Sequence, residues 1–206
     1  CFNMVLGATL LLLSRCLRAL YLINNIMHKE LSQRIRRILL SNAIWFVVFF
    51  VVFLLNILTM DGYQIQGDLH TITSVPYKYL NNLLEMPLVL GIFIIGVGLV
   101  LWGLGRSIFN IFYSKGIWFV GPGVVLTVTS LFMILGYNNT PYYPSSVNPQ
   151  DSLTIFNSSS SEFTLFTMSI VSLIIPFVIG YIAYCWKSMD KKSLTVYEVT
   201  HSEHTY

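Results

Sequence analysis

Long apolar stretches alternate with short polar or charged segments along this chain. About 20 consecutive apolar residues are needed for a helix to cross a bilayer. The pattern therefore predicts an all-α, polytopic helical membrane protein with one partial plus four full transmembrane helices. The expected spans are residues 1–24, 38–60, 86–112, 117–136 and 163–187, followed by a tail over residues 188–206.

The first stretch differs from the others in length. Residues 1–13 are apolar but too short to cross a bilayer. We interpret them as the inner half of a helix that residues 17–26 continue along the membrane surface. The chain begins with Cys1 and lacks the charged n-region of a signal peptide. We therefore expect an N-terminal truncation, with residues 1–187 forming the C-terminal part of a larger helical bundle.

The distribution of positive charge predicts the orientation. Eleven of the twelve Lys and Arg residues fall within residues 15–37, 106–115 and 187–192, and Lys78 is the exception. Lys and Arg concentrate in the cytoplasmic loops of membrane proteins. Residues 28–37 are therefore expected to form a cytoplasmic loop, and the tail to be cytoplasmic. The connectors over residues 61–85 and 137–162 are expected on the opposite side.

Composition agrees with a membrane protein. Hydrophobic residues make up 55% of the chain and charged residues 10%, against about 25% charged in a soluble domain. The net charge of +3 comes from cations at the ends of apolar stretches. We interpret these cations as determinants of topology and exclude nucleic acid as a partner.

Glycine and proline suggest how the helices pack. Glycines at positions 91, 96, 98, 103 and 105 predict a smooth flank on the third span, against which another helix can pack closely. Pro87 suits the first turn of that helix. Pro122 and Pro176 lie inside the fourth and fifth spans, where proline kinks or breaks a helix.

Residues with catalytic or metal-binding chemistry are scarce. The four histidines lie outside the spans, and the three cysteines show no CxxC spacing, so neither a metal site nor a catalytic residue is predicted. Arg15, Arg18 and Arg106 are expected to extend to the headgroups as anchors. Asn42 and Asn56 are expected to hydrogen-bond neighbouring helices.

Several short motifs spread over nearly the whole chain belong together: Gly7-Ala8-Thr9 with Arg15, Asp61-Gly62-Tyr63, Asn81-Asn82 with Pro87, Pro144-Ser145-Ser146, Ser152-Leu153-Thr154, Ser159-Ser160, Leu165, Pro176, Ala183 and Cys185-Trp186-Lys187. With these motifs the chain resembles subunit II of the cytochrome bd-type quinol oxidases of bacteria.

This resemblance implies a haem-free membrane subunit without catalytic residues of its own. Its partner would be the larger subunit I, which carries haem b and haem d, oxidises quinol and reduces oxygen to water. The matching residues Asp61, Gly62, Tyr63, Pro144, Ser145, Ser146 and Trp186 are expected to be structural. A lipid or a quinone is expected in a groove between helices. The acidic residue that the family uses for proton delivery lies in its N-terminal half and has no counterpart here.

Two alternatives remain at this level. Helices broken by proline also occur in secondary transporters, where they form a binding site at the middle of the membrane. The chain would then be half of such a transporter, although its full spans contain no Asp or Glu. The other alternative is a truncated gene product that inserts into the membrane without a partner.

Overall fold

A computed structural model describes residues 2–26, 28–66, 71–145 and 147–189. Five helical segments within these ranges are long and apolar enough to cross a membrane. This result confirms the predicted helical membrane fold. Five helices and a hairpin precede the second long connector, and they are α1 (Phe2–Asn25), α2 (Lys29–Thr59), β1 (Gly62–Gln66), β2 (Thr71–Val75), α3 (Lys78–Glu85), α4 (Pro87–Phe109) and α5 (Ile117–Gly136).

The remaining elements are shorter. The connector after α5 contains a 3-10 turn (Pro149–Asp151) and the short helix α6 (Ile155–Ser158). The fifth membrane segment follows as α7 (Glu162–Ser172) and α8 (Ile175–Met189). The expected tail over residues 188–206 lies outside the described residues from position 190 onward.

The first two helices are longer than the apolar pattern predicts. α1 is one continuous helix of 24 residues instead of a half helix followed by a surface helix. α2 has 31 residues and begins at Lys29, so the expected loop over residues 28–37 is largely helical. Ile35 and Leu39 pack there against Cys16 and Leu20 of α1. This apolar contact stabilises the helical conformation of the basic segment. The prediction of a loop over residues 28–37 is therefore wrong from Lys29 onward.

The third and fourth spans agree closely with the sequence. α4 begins with Pro87 in its first turn, where the missing N–H group has no intrahelical partner to lose. α5 has the predicted bounds. It continues without a break through Pro122, which lies in its second turn.

The fifth segment is broken in its middle. The N–H groups of Leu173 and Ile174 donate to the carbonyls of Ile170 and Val171 at 3.1 and 3.0 Å, the tighter pattern of a 3-10 turn. Pro176 explains the break, because proline has no N–H to donate to the carbonyl four residues earlier and its ring clashes with that carbonyl. Neither α7 nor α8 contains a buried residue.

The connector between α2 and α4 forms a small sheet that the all-α prediction omits. Strands β1 and β2 pair antiparallel, with Ile65 opposite Ile72. Ile72 is buried while its neighbours Thr71 and Thr73 are exposed, as expected for a strand with one covered face. The hairpin and α3 together cover one end of the helices.

Glycine faces allow α4 and α5 to pack closely. A Cβ atom added to Gly96 would lie 2.7 Å from Thr127 Oγ1 and 3.0 Å from the carbonyl oxygen of Gly123. One added to Gly103 would lie 3.1 Å from the carbonyl oxygen of Gly116. Only glycine permits such an approach between the two backbones.

The glycines of α4 do not form the single flank that we predicted. Gly91, Gly98 and Gly105 have no atom within 4 Å of an added Cβ. These three residues are seven apart and therefore share one side of the helix. We call this side the open glycine face, to distinguish it from the side that contacts α5.

The two asparagines of α2 also differ from expectation. Asn42 Nδ2 donates to the carbonyl of Ile38 at 2.8 Å, and Asn56 Nδ2 donates to that of Val52 at 2.7 Å. Both bonds lie within α2 and not between helices. The prediction of interhelical bonds is wrong, because the carbonyl four residues earlier is already within reach of each side chain.

We expect Gly96→Ala to lower the free energy of unfolding of the full-length protein by about 1–3 kcal/mol, the usual range for overpacking. The added methyl group would meet α5 backbone, which cannot move as a flexible side chain does. Gly98→Ala is the matched control and should be nearly neutral. Unfolding in detergent measures both variants, and equal losses would contradict the assignment of Gly96 to the α5 contact.

Candidate functional site

Gly62 marks the contact between the hairpin and α3. It begins β1 and is buried, and an added Cβ would lie 2.7 Å from Lys78 Cβ and 3.4 Å from a ring carbon of Tyr79. Asp61 is exposed just before the strand, and Tyr63 is half-buried within it. The close approach of α3 requires glycine at position 62.

The other residues predicted from the family motifs lie on different elements. Pro144 is exposed in the connector after α5, and Ser145 donates its N–H to Ser152 Oγ at 3.0 Å. Ser146 lies outside the described residues. Trp186 is 59% exposed on α8. The six described residues of this set are distributed over the start of the hairpin, the connector after α5 and α8, and these six do not line a common site.

A buried polar cluster joins α3 to the end of α5. Asn82 is fully buried, and its Nδ2 donates to the carbonyl of Ile134 at 2.9 Å and to Thr140 Oγ1 at 2.7 Å. Its Oδ1 accepts from Asn138 Nδ2 at 3.1 Å, and that same amide donates to Glu85. A buried amide with all of its groups paired fixes the position of its helix.

The two connectors at this end are hydrogen-bonded to each other. The N–H of Ile65 in β1 donates to the carbonyl of Asn139 at 2.9 Å. The side-chain amide of Gln150 both donates to and accepts from the backbone of Ile72, at 3.0 Å in each case. Gln150 therefore occupies the edge of β2 as a neighbouring strand would. We call this end, with its hairpin and connectors, the capped end.

Burial changes the acid–base properties of two neighbouring side chains here. Lys78 is 3% exposed, and burial lowers its pKa, while Glu85 acts in the opposite direction. Burial raises the pKa of Tyr79, and Tyr63 adds to that effect. A lysine whose pKa is lower in the folded protein than in the unfolded chain binds fewer protons in the folded state. The free energy of unfolding therefore rises as the pH rises through this lowered pKa. A tyrosine with a raised pKa has the reverse effect above about pH 10.

At the opposite end, Arg36 binds the C-terminus of α4. Its guanidinium donates to the carbonyl of Ser107, to those of Asn110 and Ile111 at 3.0 Å, and to that of Tyr113 at 2.9 Å. The last carbonyls of a helix lack intrahelical partners and carry partial negative charge. Arg36 supplies both a positive charge and donors to these groups.

Arg36 also shows that the cations of α2 and α4 lie at one end of the molecule, which we call the basic end. It is 6% exposed, whereas Arg15, Arg18 and Arg106, the predicted anchors, are exposed. The binding of Arg36 to α4 was not predicted, because Arg36 is one of four cations within residues 28–37. Its position beside Ile35 and Leu39, on the face that packs on the other helices, could have distinguished it.

Between these two ends, an apolar cleft separates the helix pairs α1–α2 and α4–α5. Its volume is about 250 Å³, and its walls come from all four helices, including Leu13, Phe50, Val100 and Leu131. Such a lining offers contacts to hydrocarbon and almost no partner for a polar group.

Metal-binding residues are not gathered in the parts of the chain that the structure describes, where no group of three His, Cys, Asp or Glu side chains is found. His28 caps α2, with its Nδ1 accepting from the N–H of Leu31 at 3.4 Å. His70, His201 and His204 lie outside the described residues.

Comparison with protein families adds a decisive observation. The family model described as cytochrome bd terminal oxidase subunit II matches residues 1–189. The chain belongs to this family. The comparison with curated proteins found no match.

Membership of the cytochrome bd subunit II family confirms the resemblance that the sequence motifs indicated. It places the chain in a haem-containing respiratory oxidase complex, an oxidoreductase that includes another subunit. Together with the five apolar helical segments, it identifies a multi-pass membrane protein. The hydrogen bonds of Arg36 at the basic end and of Asn82 at the capped end, which we call the clamps, are then parts of a cytochrome bd subunit.

Removing the Arg36 guanidinium should destabilise the contact between α2 and α4. We expect Arg36→Gln to lower the free energy of unfolding of the full-length cytochrome bd subunit by about 1.5–3 kcal/mol, the range for hydrogen bonds that involve a charged group. The exposed neighbour Arg37 provides the control, because Arg37→Gln should change stability by less than about 0.5 kcal/mol. Denaturation in detergent tests both, and a neutral Arg36→Gln variant would refute the clamp.

The Asn82 cluster is open to a similar comparison. Asn82→Ala leaves the Ile134 carbonyl, Thr140 and Asn138 without their shared partner, so hydrogen exchange at residues 134–145 should become faster. The adjacent Asn81 is exposed, and Asn81→Ala should leave exchange there unchanged. Exchange measured by mass spectrometry would contradict the assignment if the two variants behaved alike.

Proposed function

We propose that the chain is a haem-free membrane subunit of a cytochrome bd-type quinol oxidase. It would support the haem-bearing subunit I, which oxidises quinol and reduces oxygen to water in aerobic respiration. The observation that carries this proposal is the family match over residues 1–189.

The absence of histidine from the described membrane helices agrees with a supporting role. Haem iron in membrane enzymes is commonly held by histidine. None of the described membrane helices contains one, and the described His28 caps α2 instead. Under this proposal haem b and haem d belong to subunit I. The residues of this chain then hold the partner in place without taking part in the reaction.

Two surfaces suit contact with subunit I. One is the part of the open glycine face formed by Gly91 and Gly98, where a second helix can approach the backbone of α4 closely. The other is the fifth segment, whose large apolar side chains are all uncovered, with Phe177 78% exposed. Subunit I or lipid would cover these side chains in the complex.

The apolar cleft between the helix pairs suits the tail of a lipid or a quinone. Its lining comes from apolar side chains apart from Thr9 and Thr127. Both hydroxyls already donate to carbonyls of their own helices, at 2.8 Å each. An aliphatic tail could fill the cleft without losing a hydrogen bond.

The basic end would face the cytoplasm of the bacterial plasma membrane, in agreement with the positive-inside rule. Residues 1–187 would form the membrane bundle, and residues 188–206 a cytoplasmic tail. The positions Asp61, Gly62, Tyr63, Pro144, Ser145, Ser146 and Trp186 would serve structure and assembly, as the packing of Gly62 on α3 suggests.

Purification of the full-length protein from its native membrane tests this proposal. With a tag after Tyr206 and a gentle detergent, we expect a larger chain to copurify and the eluate to show b- and d-type haem absorption. A colourless protein without a partner would contradict the proposal. Substrate-dependent uptake by that protein in vesicles would then support the transporter alternative, in which the break at residues 173–174 forms part of a binding site.

A further inference from the structure

Arg106 lies where the basic end meets the membrane surface. It is in the last turn of α4, and the 20 residues from Pro87 to Arg106 extend about 29 Å at 1.5 Å per residue. This length matches the hydrocarbon core of a bilayer, about 30 Å. With Pro87 at one boundary of the hydrocarbon core, the guanidinium of Arg106 reaches the level of the lipid phosphates at the other.

Two aromatic rings hold this guanidinium in place. Its Cζ atom lies 5.7 Å from the ring centroid of Trp102, one turn earlier on α4, and 5.2 Å from that of Tyr113 in the turn before α5. Contact with ring faces uses the charge but leaves the N–H groups at the edge of the guanidinium able to donate. Arg36 is the opposite case, because four backbone carbonyls accept its hydrogen bonds.

An open cavity adjoins Arg106. Its volume is about 690 Å³, and its walls include Leu101, Gly105, Phe109 and Phe112. Phe109 and Phe112 are 86% and 93% exposed. Gly105 belongs to the open glycine face and leaves the floor of the cavity free of a side chain. The cavity thus offers a planar cation, with apolar surface toward the membrane centre at Leu101 and Gly105 and aromatic rings on the other side at Phe109 and Phe112.

The charge of this region favours an anionic occupant. Lys115 is exposed in the same turn, and Arg36 lies behind the carbonyls of Asn110 and Ile111, which belong to the cavity wall. Among the described residues of α2, α4 and the turn between α4 and α5, the acidic one is Glu30, in the first turn of α2. Basic pockets beside transmembrane helices bind the headgroups of anionic lipids.

We propose that this cavity binds one anionic phospholipid. The lipid phosphate accepts two hydrogen bonds from the Arg106 guanidinium, whose planar fork matches phosphate geometry. One acyl chain lies over Gly105 and along Leu101, toward the membrane centre, whereas Phe109 and Phe112 flank the headgroup on the other side of Arg106. The site opens on the outer side of α4 and shares only Leu101 with the apolar cleft; its test in the complex rests on the proposed role in the oxidase.

Native mass spectrometry of the full-length complex tests this site. The complex is exchanged into a mixture of phosphatidylglycerol and phosphatidylcholine, and the lipids retained after delipidation are counted. We expect Arg106→Gln to retain phosphatidylglycerol roughly fivefold less well than the wild type, in line with the contribution of one basic residue near a membrane. Arg18→Gln, which removes an exposed cation of α1, should have no such effect.

A second variant separates the cavity from the charge. Gly105→Leu fills the floor of the cavity, keeps Arg106 and should cause a similar loss of phosphatidylglycerol. Haem absorption and copurification of the larger chain serve as controls for folding. Unchanged phosphatidylglycerol retention in both variants, or equal retention of phosphatidylcholine at this site, would overturn the proposal. Dissociation of the larger chain without a change in bound lipid would instead identify the face as a subunit contact and would also overturn it.

Discussion

The described bundle is held at its two ends by hydrogen bonds between residues far apart in the sequence. Between those ends, the pairs α1–α2 and α4–α5 share an apolar core that includes Leu39 and Val100, and they leave a cleft of about 250 Å³. Arg36 of α2 closes the basic end by binding the final carbonyls of α4. Asn82 of α3 closes the capped end by binding the final turn of α5 through Ile134. These polar contacts fix the ends of helices whose apolar sides resemble the surrounding lipid.

The membrane helices were the most predictable part of the fold. A backbone in hydrocarbon must pair its own polar groups, so an apolar stretch of about 20 residues forms a helix. On this basis the bounds of α5 are predicted correctly and the start of α4 to within one residue. The prediction is wrong at the start of α2, where the nine residues 29–37 of the basic segment are helical. Packing of Ile35 and Leu39 against α1 decides their conformation, and such a contact lies beyond the reach of local hydropathy.

The polar sites were less predictable, for different physical reasons. Asn81 and Asn82 are adjacent in the sequence, yet only Asn82 faces the end of α5, and that direction depends on how α3 is placed. Gln150 stands in a polar connector where any of several side chains could reach the edge of β2. The two glycine faces of α4 could have been predicted from the sequence. Residues seven apart, such as Gly98 and Gly105, share one side of a helix, whereas residues two apart, such as Gly96 and Gly98, do not.

The glycine contact between α4 and α5 also bears on the order in which the bundle assembles. Seven residues, 110–116, join these helices, so the pair can form as soon as both enter the membrane and with little loss of loop entropy. The clamps come later, because Arg36 and Ser107 are 71 positions apart and Asn82 and Ile134 are 52 apart. Cotranslational insertion would thus produce a locally stable hairpin first, and the ends of the bundle would lock only after that hairpin is in place.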